Sequence, residues 1–166
     1  MRVEKKDFNC KYELYEALAA ALESLLVENG DLVANLANAS AIIKLFLDDL
    51  NWAGFYLIKE GALVLGPFQG KPAVAVIEMG SCVCGTAAAE LKTQIVEDVR
   101  ECENHIVCDE ASISEIVVPI VRDGEILGVL DIDSPVFARF DSEDARGLEK
   151  LAAILTNKFW KRFDRP

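Results

Sequence analysis

The strongest constraint on the fold is a pair of β-branched, alternating segments in the second half of the chain. SEIVVPIV and EILGVLDID are separated only by Arg122-Asp123-Gly124, and two such runs joined by a short turn predict an antiparallel hairpin. NWAGFYLI and GALVLGPF lie on either side of Glu60-Gly61 and predict a second hairpin. KPAVAVIEMG and TQIVEDV indicate two shorter strands. The sequence therefore predicts a largely antiparallel sheet.

Helical patterns flank these strands. Apolar residues at three- and four-residue spacing predict a helix over residues 12–29, and a second helix begins at Asp31 and runs through NLANASAIIKLFLDDL, to Leu50. The small residues of VCGTAAAEL favour a short helix, and Asp141 can cap a closing helix over residues 142–163. Helices, then hairpin-connected strands, then a helix indicate an α+β fold with helices flanking a central sheet.

Length and charge limit the kind of protein. The 166 residues suit one domain, spanning residues 1–166, and the net charge of −11 argues against a nucleic-acid or acidic-membrane surface. No apolar run approaches the ~18 residues of a membrane span, and the N-terminus lacks a signal-peptide pattern. We therefore expect a soluble, cytoplasmic protein that binds neither nucleic acid nor membrane.

Three carboxylates can gather on one face of the 114–133 hairpin. Asp131 and Asp133 are two apart in a strand and share a face. A two-residue turn would put Glu115 on the opposite face, whereas a three-residue turn with a left-handed glycine pairs Val121 with Glu125 and sets Glu115 opposite Asp131. We predict the second register because it unites the acids. The other face then holds the apolar residues Ile116, Val118, Ile120, Ile126, Leu130 and Ile132.

Such a cluster can store a proton. Two carboxylates about 5 Å apart repel by roughly 3 kcal/mol at an effective dielectric near 20, which raises one pKa by about two units. One of Glu115, Asp131 and Asp133 could therefore be protonated at neutral pH. The alternative is that all three are solvated acids at strand ends.

The cysteines are five in number, which does not suggest a structural disulfide framework. Cys82 and Cys84 precede a predicted helix, whose N-terminal dipole favours a thiolate. Cys108 lies in residues 98–112, a segment without periodicity that we interpret as an ordered loop over a site. Cys10 and Cys102 are interpreted as small buried hydrophobic residues.

Two further groups allow more than one interpretation. Cys102-x-x-His105-x-x-Cys108 together with Cys82-x-Cys84 offers zinc ligands, but the spacing matches no zinc-finger pattern; we expect no metal, and His105 is interpreted as a structural imidazole. Trp52 and Tyr56 share one face of a strand. They are either core residues or an aromatic wall facing a ligand.

The motifs NLANASA, NWAGFY, LGPFQGKPA, VCGTAA, HIVCD, SEIVVP and GVLDIDS, in that order, resemble those of the GAF-domain free methionine-(R)-sulfoxide reductases. The resemblance covers nearly the whole chain and implies a GAF-like (PAS-like) single domain. It implies reduction of free L-methionine-(R)-sulfoxide through a cysteine sulfenic acid and an intramolecular disulfide recycled by thioredoxin, with no cofactor. The terminal helices could form a homodimer.

The resemblance also assigns roles to individual residues. It implies that Cys108 is the nucleophile and that Cys84 is the second thiol. It also implies that Glu115, Asp131 and Asp133 bind the substrate's polar groups, and that Trp52 and Tyr56 enclose its methyl-sulfur end. The family commonly has a resolving cysteine where this chain has Val74. Either Cys84 or Cys82 is therefore expected to resolve the sulfenic acid. Cys84 and Cys108 could also exchange roles. The alternative function is a GAF sensor module that binds a small ligand without turnover.

Overall fold

The computed structural model of the chain describes residues 8–28, 30–101 and 109–159, with the side chains of residues 158–159 left out. Its elements are α1 (Lys11–Leu25), α2 (Leu32–Phe46), β1 (Trp52–Lys59), β2 (Ala62–Gln69), β3 (Val76–Ile77), α3 (Cys82–Glu90), β4 (Gln94–Val96), β5 (Ser114–Arg122), β6 (Glu125–Ser134) and α4 (Ser142–Ile154), which continues as a π-helix (Leu155–Phe159). A short 3-10 helix (Val99–Glu101) precedes the second gap. None of the helices in these described ranges is long and apolar enough to span a membrane.

The strands form one antiparallel sheet in the order β3-β2-β1-β6-β5-β4. The two long hairpins turn through Glu60-Gly61 and Asp123-Gly124, and all four of these residues have positive φ, between 51° and 83°. Two consecutive left-handed residues are typical of the type I′ turn, whose twist matches that of the strands. The predicted α+β fold with a largely antiparallel sheet is therefore confirmed.

The predicted register of the β5-β6 hairpin was wrong, since Val121 pairs with Ile126 and not with Glu125, and Glu115 does not pair with Asp131. Arg122 pairs with Glu125, so the turn has two residues and not three. A β-bulge follows at once, because Ile120 pairs with Gly128 and Leu127 is the extra residue on β6. The bulge restores the side-chain phase that the short turn alone would have reversed.

The consequence for the acids is the one predicted, by a different route. Glu115 pairs with Asp133, and Asp131 pairs with Val117, so the three carboxylates do share one face. Ile126 precedes the bulge and packs on the same side as Val117, which corrects its predicted place on the opposite face. A bulge of this kind leaves no clear mark in the residue pattern.

Each face of the sheet has its own apolar cluster. Helices α2 and α4 pack against one face, which we call the core face, and α1 packs against both of these helices. The core face includes the fully buried Phe55, Ile116, Leu130 and Ile132. Helix α3 contacts β5 and β6 from the other side, which we call the site face. All of the predicted site residues in the described part of the chain lie on the site face or in α3.

The predicted starts of the helices hold to within one residue. Helix α2 ends at Phe46 and not at Leu50, and the predicted end of the closing helix lies outside the described residues. The end of α1 also differs from the prediction. This helix ends at Leu25, because the side chain of Asn35 binds both backbone polar groups of Val27 and holds that residue out of the helix. Asp141 caps α4 as predicted, in a capping box with Asp144. Cys10 is exposed, at the start of α1, which contradicts its interpretation as a buried residue.

Candidate active site

The three acids lie on two neighbouring strands of the site face, beside an aromatic residue on a third strand. Asp133 on β6 lies between its partners Trp52 on β1 and Glu115 on β5. Glu115 is 5% exposed and Asp131 is 7% exposed, whereas Asp133 is half-buried. Two of the three carboxyls are therefore buried, and that of Asp133 is the more accessible.

Burial raises the pKa values of all three acids. The pKa of Glu115 is raised well above its ordinary value by burial first and then by the negative charges of Asp131 and Asp133. The pKa of Asp133 is also well above its ordinary value, again chiefly because of burial. Burial raises the pKa of Asp131 to about 6, although hydrogen bonds with Cys84 and Glu115 oppose the shift. All three pKa values are thus shifted upward, the direction that a proton-holding cluster requires.

Helix α3 brings a thiol into contact with these carboxyls. Cys84 is 2% exposed, and its Sγ atom lies 3.9 Å from Oε1 of Glu115. Burial raises the pKa of Cys84 well above its ordinary value, and the charges of Asp131 and Glu115 raise it further. The prediction that the helix N-terminus favours a thiolate at this position was wrong, because desolvation outweighs the helix dipole.

Cys82 occupies a different environment, two residues earlier. Its thiol is free and half-buried, and its φ of 48° lies in the left-handed region that favours glycine. Burial raises its pKa, but hydrogen bonds from the backbone of Gly85 and Cys84 oppose that shift. Cys82 is thus the more accessible of the two thiols.

Aromatic rings line the site face beside the acids. Trp52 and Tyr56 stack with ring centroids 6.1 Å apart, and Phe68 stacks on Trp52 at 5.3 Å. Gly54 leaves room for this stack, since a Cβ atom there would lie 2.3 Å from Phe68 and 2.6 Å from the indole. The Tyr56 hydroxyl donates to the carbonyl of Val74 at 3.1 Å. Sequence reasoning missed Phe68, although it belongs to the LGPF segment of β2.

A polar clasp joins the segment after Cys108 to this wall. Lys71 Nζ lies 2.9 Å from Oδ1 of the buried Asp109, and the Lys71 carbonyl accepts from Trp52 Nε1 at 3.1 Å. Asn51 Nδ2 donates to Ser112 Oγ at 2.8 Å and to Asp109 Oδ2 at 3.3 Å. These four residues were also missed, because a single sequence does not show which loops meet.

Three predicted residues lie outside the described residues: Cys102, His105 and the predicted nucleophile Cys108. Among the described residues, the group with the composition of a metal site is Cys84, Glu115 and Asp131, whose ligand atoms all lie within 4.8 Å of one another. This group differs from the Cys and His spacing considered from the sequence.

The GAF domain family matches residues 37–157. A free methionine-R-sulfoxide reductase of Escherichia coli is 48% identical over 157 residues, which cover 92% of this chain and 95% of that protein. The free methionine-R-sulfoxide reductase of Saccharomyces cerevisiae is 47% identical, over 87% of this chain and 85% of its own length.

The chain belongs to the GAF-domain free methionine-R-sulfoxide reductases. A solved free methionine-R-sulfoxide reductase of Neisseria meningitidis, in complex with its substrate, superposes with a TM-score of 0.88 at 42% identity, covering 94% of each chain. The GAF fold predicted from the motifs is therefore confirmed. In this member of the free methionine-R-sulfoxide reductases, Glu115, Asp131, Asp133, Trp52 and Cys84 meet on the site face.

Proposed function

We propose that this chain reduces free L-methionine-(R)-sulfoxide to methionine. The observation that carries the proposal is the contact between a buried thiol and a proton-holding acid cluster, with an aromatic wall beside them. A sulfoxide sulfur is a poor electrophile until its oxygen is protonated. A reductase therefore needs an acid together with a thiol, and family membership supports the same activity.

The substrate would be bound at its two ends. The stacked rings of Trp52 and Phe68 offer an apolar surface for the methyl-sulfur end. The ionised member of the acid cluster would bind the α-ammonium group of a free amino acid. Oδ1 of Asp131 is buried and has no hydrogen-bond partner among the described residues, so it is an acceptor ready for such a donor.

In the first step the Cys108 sulfur attacks the substrate sulfur. A protonated carboxyl of Glu115, Asp131 or Asp133 donates its proton to the sulfoxide oxygen, and the proton of the Cys108 thiol returns to the cluster. The oxygen then moves, as a hydroxyl group, from the substrate sulfur to the Cys108 sulfur, while the transient bond between the two sulfurs breaks. Methionine leaves, and Cys108 is left as a sulfenic acid. The substrate is reduced by two electrons and Cys108 is oxidised by two.

In the second step another thiol condenses with the sulfenic acid to give a disulfide and water. We assign this role to Cys84, which lies in the acid cluster, with the more accessible Cys82 as the alternative. The thioredoxin dithiol would then reduce the disulfide. Residues 1–166 would act as one GAF domain in the cytoplasm, without a cofactor and as a homodimer through the terminal helices.

The experiment offers the reduced protein separated R and S epimers of free methionine sulfoxide, and a peptide-bound sulfoxide, with thioredoxin as reductant. Selective consumption of the free R epimer is expected. Binding of that epimer without methionine formation would instead indicate a sensor module. Equal consumption of the peptide-bound substrate would contradict the assignment of the acids to the free ammonium group.

The thiol roles are separated by single-turnover measurements. Cys108→Ser should form no methionine at all. Cys84→Ser should release one equivalent of methionine and then stop, whereas the matched control Cys82→Ser should continue to turn over. If Cys82→Ser stops after one equivalent and Cys84→Ser does not, Cys82 is the resolving thiol.

A further inference from the structure

Cys84, Glu115 and Asp131 form an unusual buried group. One sulfur and two carboxylate oxygens from α3, β5 and β6 lie within 4.8 Å of one another, and all three residues are buried. A thiolate and two carboxylates would together carry three negative charges. Within the described residues no lysine or arginine forms an ion pair with Asp131.

A second observation points to a ligand at this group. Asp131 is 7% exposed, yet its Oδ1 atom has no hydrogen-bond partner among the described residues. Buried polar atoms are nearly always paired, so an orphaned carboxylate oxygen indicates an absent donor or cation. The substrate ammonium group is one candidate, but a cation could contact the carboxylates and the neighbouring Cys84 sulfur at the same time.

We propose that Cys84, Glu115 and Asp131 form a binding site for a divalent cation of the zinc class. The composition suits a borderline-soft ion, since thiolate favours zinc over magnesium or calcium and carboxylates complete the set. In a tetrahedral zinc site, sulfur and oxygen ligands lie roughly 3.5 Å apart. Cys84 Sγ and Glu115 Oε1 are 3.9 Å apart, so small side-chain shifts would close the site.

Three protein ligands leave a fourth position for water, as in zinc sites that are not purely structural. The ion would take the place proposed for the substrate ammonium group and would hold the proposed resolving thiol. Zinc would therefore inhibit reduction reversibly. This consequence rests on the proposed function, whereas metal binding itself can be tested without any turnover.

The test uses the full chain, reduced and stripped of metal, and titrates it with Zn²⁺ in competition with a chromophoric chelator. One equivalent is expected to bind. Titration with Cd²⁺ should produce the ultraviolet charge-transfer band of a thiolate–metal bond. Asp131→Asn and Cys84→Ser should each weaken Zn²⁺ binding at least tenfold, since losing even a group that only supports a ligand costs about 10- to 100-fold.

Matched controls separate this site from the other thiols. Cys82→Ser and Cys108→Ser should bind Zn²⁺ like the unmodified protein and keep the Cd²⁺ band. Circular dichroism and the melting temperature establish that each variant is folded, and Zn²⁺ should raise the melting temperature of the unmodified protein but not of folded Asp131→Asn.

Two results would overturn the proposal. One is the absence of Zn²⁺ binding at micromolar concentration, and the other is binding that survives Asp131→Asn and Cys84→Ser but is lost in Cys108→Ser. Methionine formation measured without added metal tests the reductase separately, so either proposal can fail while the other stands.

Discussion

The two faces of the sheet are built from the same strands but bury opposite chemistry. On β6, Leu130 and Ile132 are fully buried on the core face, while Asp131 between them is almost as deeply buried on the site face. Burying the aliphatic side chains stabilises the fold by about 1.5–3 kcal/mol each. Burying an ionised carboxylate costs free energy, which the raised pKa of Asp131 reflects. We infer that the core face stabilises the fold, whereas the site face buries reactive carboxyls at a cost in stability.

The largest expected effect comes from removing an acid of the site face. Asp131→Asn should lower turnover by about 100-fold or more, which is the usual contribution of a positioned acid. The free energy of unfolding should stay equal or increase, because the variant no longer buries a charge at this position. Steady-state rates and urea unfolding measure the two quantities. Full turnover or a large loss of stability in this variant would contradict the inference that the core face stabilises the fold and the site face carries the chemistry.

The matched change on the core face is Leu130→Ala, one residue earlier in the chain. It should lower the free energy of unfolding by about 2–5 kcal/mol, because it leaves a cavity in the core. The rate per folded molecule should change little. Urea unfolding followed by circular dichroism gives the first value, and a loss below about 1 kcal/mol would show that this face does not carry the stability.

The contrast between the faces was largely predictable from the sequence. Alternation in SEIVVPIV and EILGVLDID fixes which residues share a face, and the predicted apolar set was right except for Ile126. The bulge at Leu127 was not predictable, because nothing in the residue pattern distinguishes a two-residue turn with a bulge from a three-residue turn. A two-residue turn without the bulge would have placed Glu115 on the wrong face.

The acid cluster should also leave a signature in the pH dependence of stability. The folded-state pKa of Asp131, about 6, exceeds its unfolded value, so the folded protein binds more protons between those two values. This contribution is fully present below about pH 4 and is lost as the pH rises through about 6, on the order of 3 kcal/mol.

The measurement is urea unfolding of the unmodified protein and of Asp131→Asn at a series of pH values. The difference in unfolding free energy between the two should grow in favour of the variant as the pH increases. A difference that stays constant from pH 4 to pH 7 would remove Asp131 from the set of proton-holding acids.

The smallest expected effect is at the rim of the site face. The Lys71 side chain is 68% exposed and its ion pair with Asp109 is partly screened by solvent, so the pair contributes at most about 1 kcal/mol. Lys71→Ala should raise KM by up to about fivefold with little change in kcat, and Lys71→Arg should restore KM. A fall in kcat with KM unchanged would show that Lys71 affects the chemical step and not substrate binding.

The candidate site was less predictable than the fold. Motif resemblance located the acids, Trp52 and Cys84, but the effect of burial on Cys84 outweighed the helix dipole that the sequence suggested. Phe68 and Lys71 reach the site through the pairing of β2 with β1 and through a loop contact. Such long-range contacts depend on tertiary packing, which a local pattern does not encode.

The central claim is that the site face stores a proton beside a thiol at neutral pH. Infrared difference spectroscopy of the reduced, substrate-free protein, comparing the unmodified chain with Glu115→Gln, tests it most directly. We predict a protonated-carboxyl stretching band at neutral pH that disappears in the variant. A spectrum with only ionised carboxylates at neutral pH would contradict it.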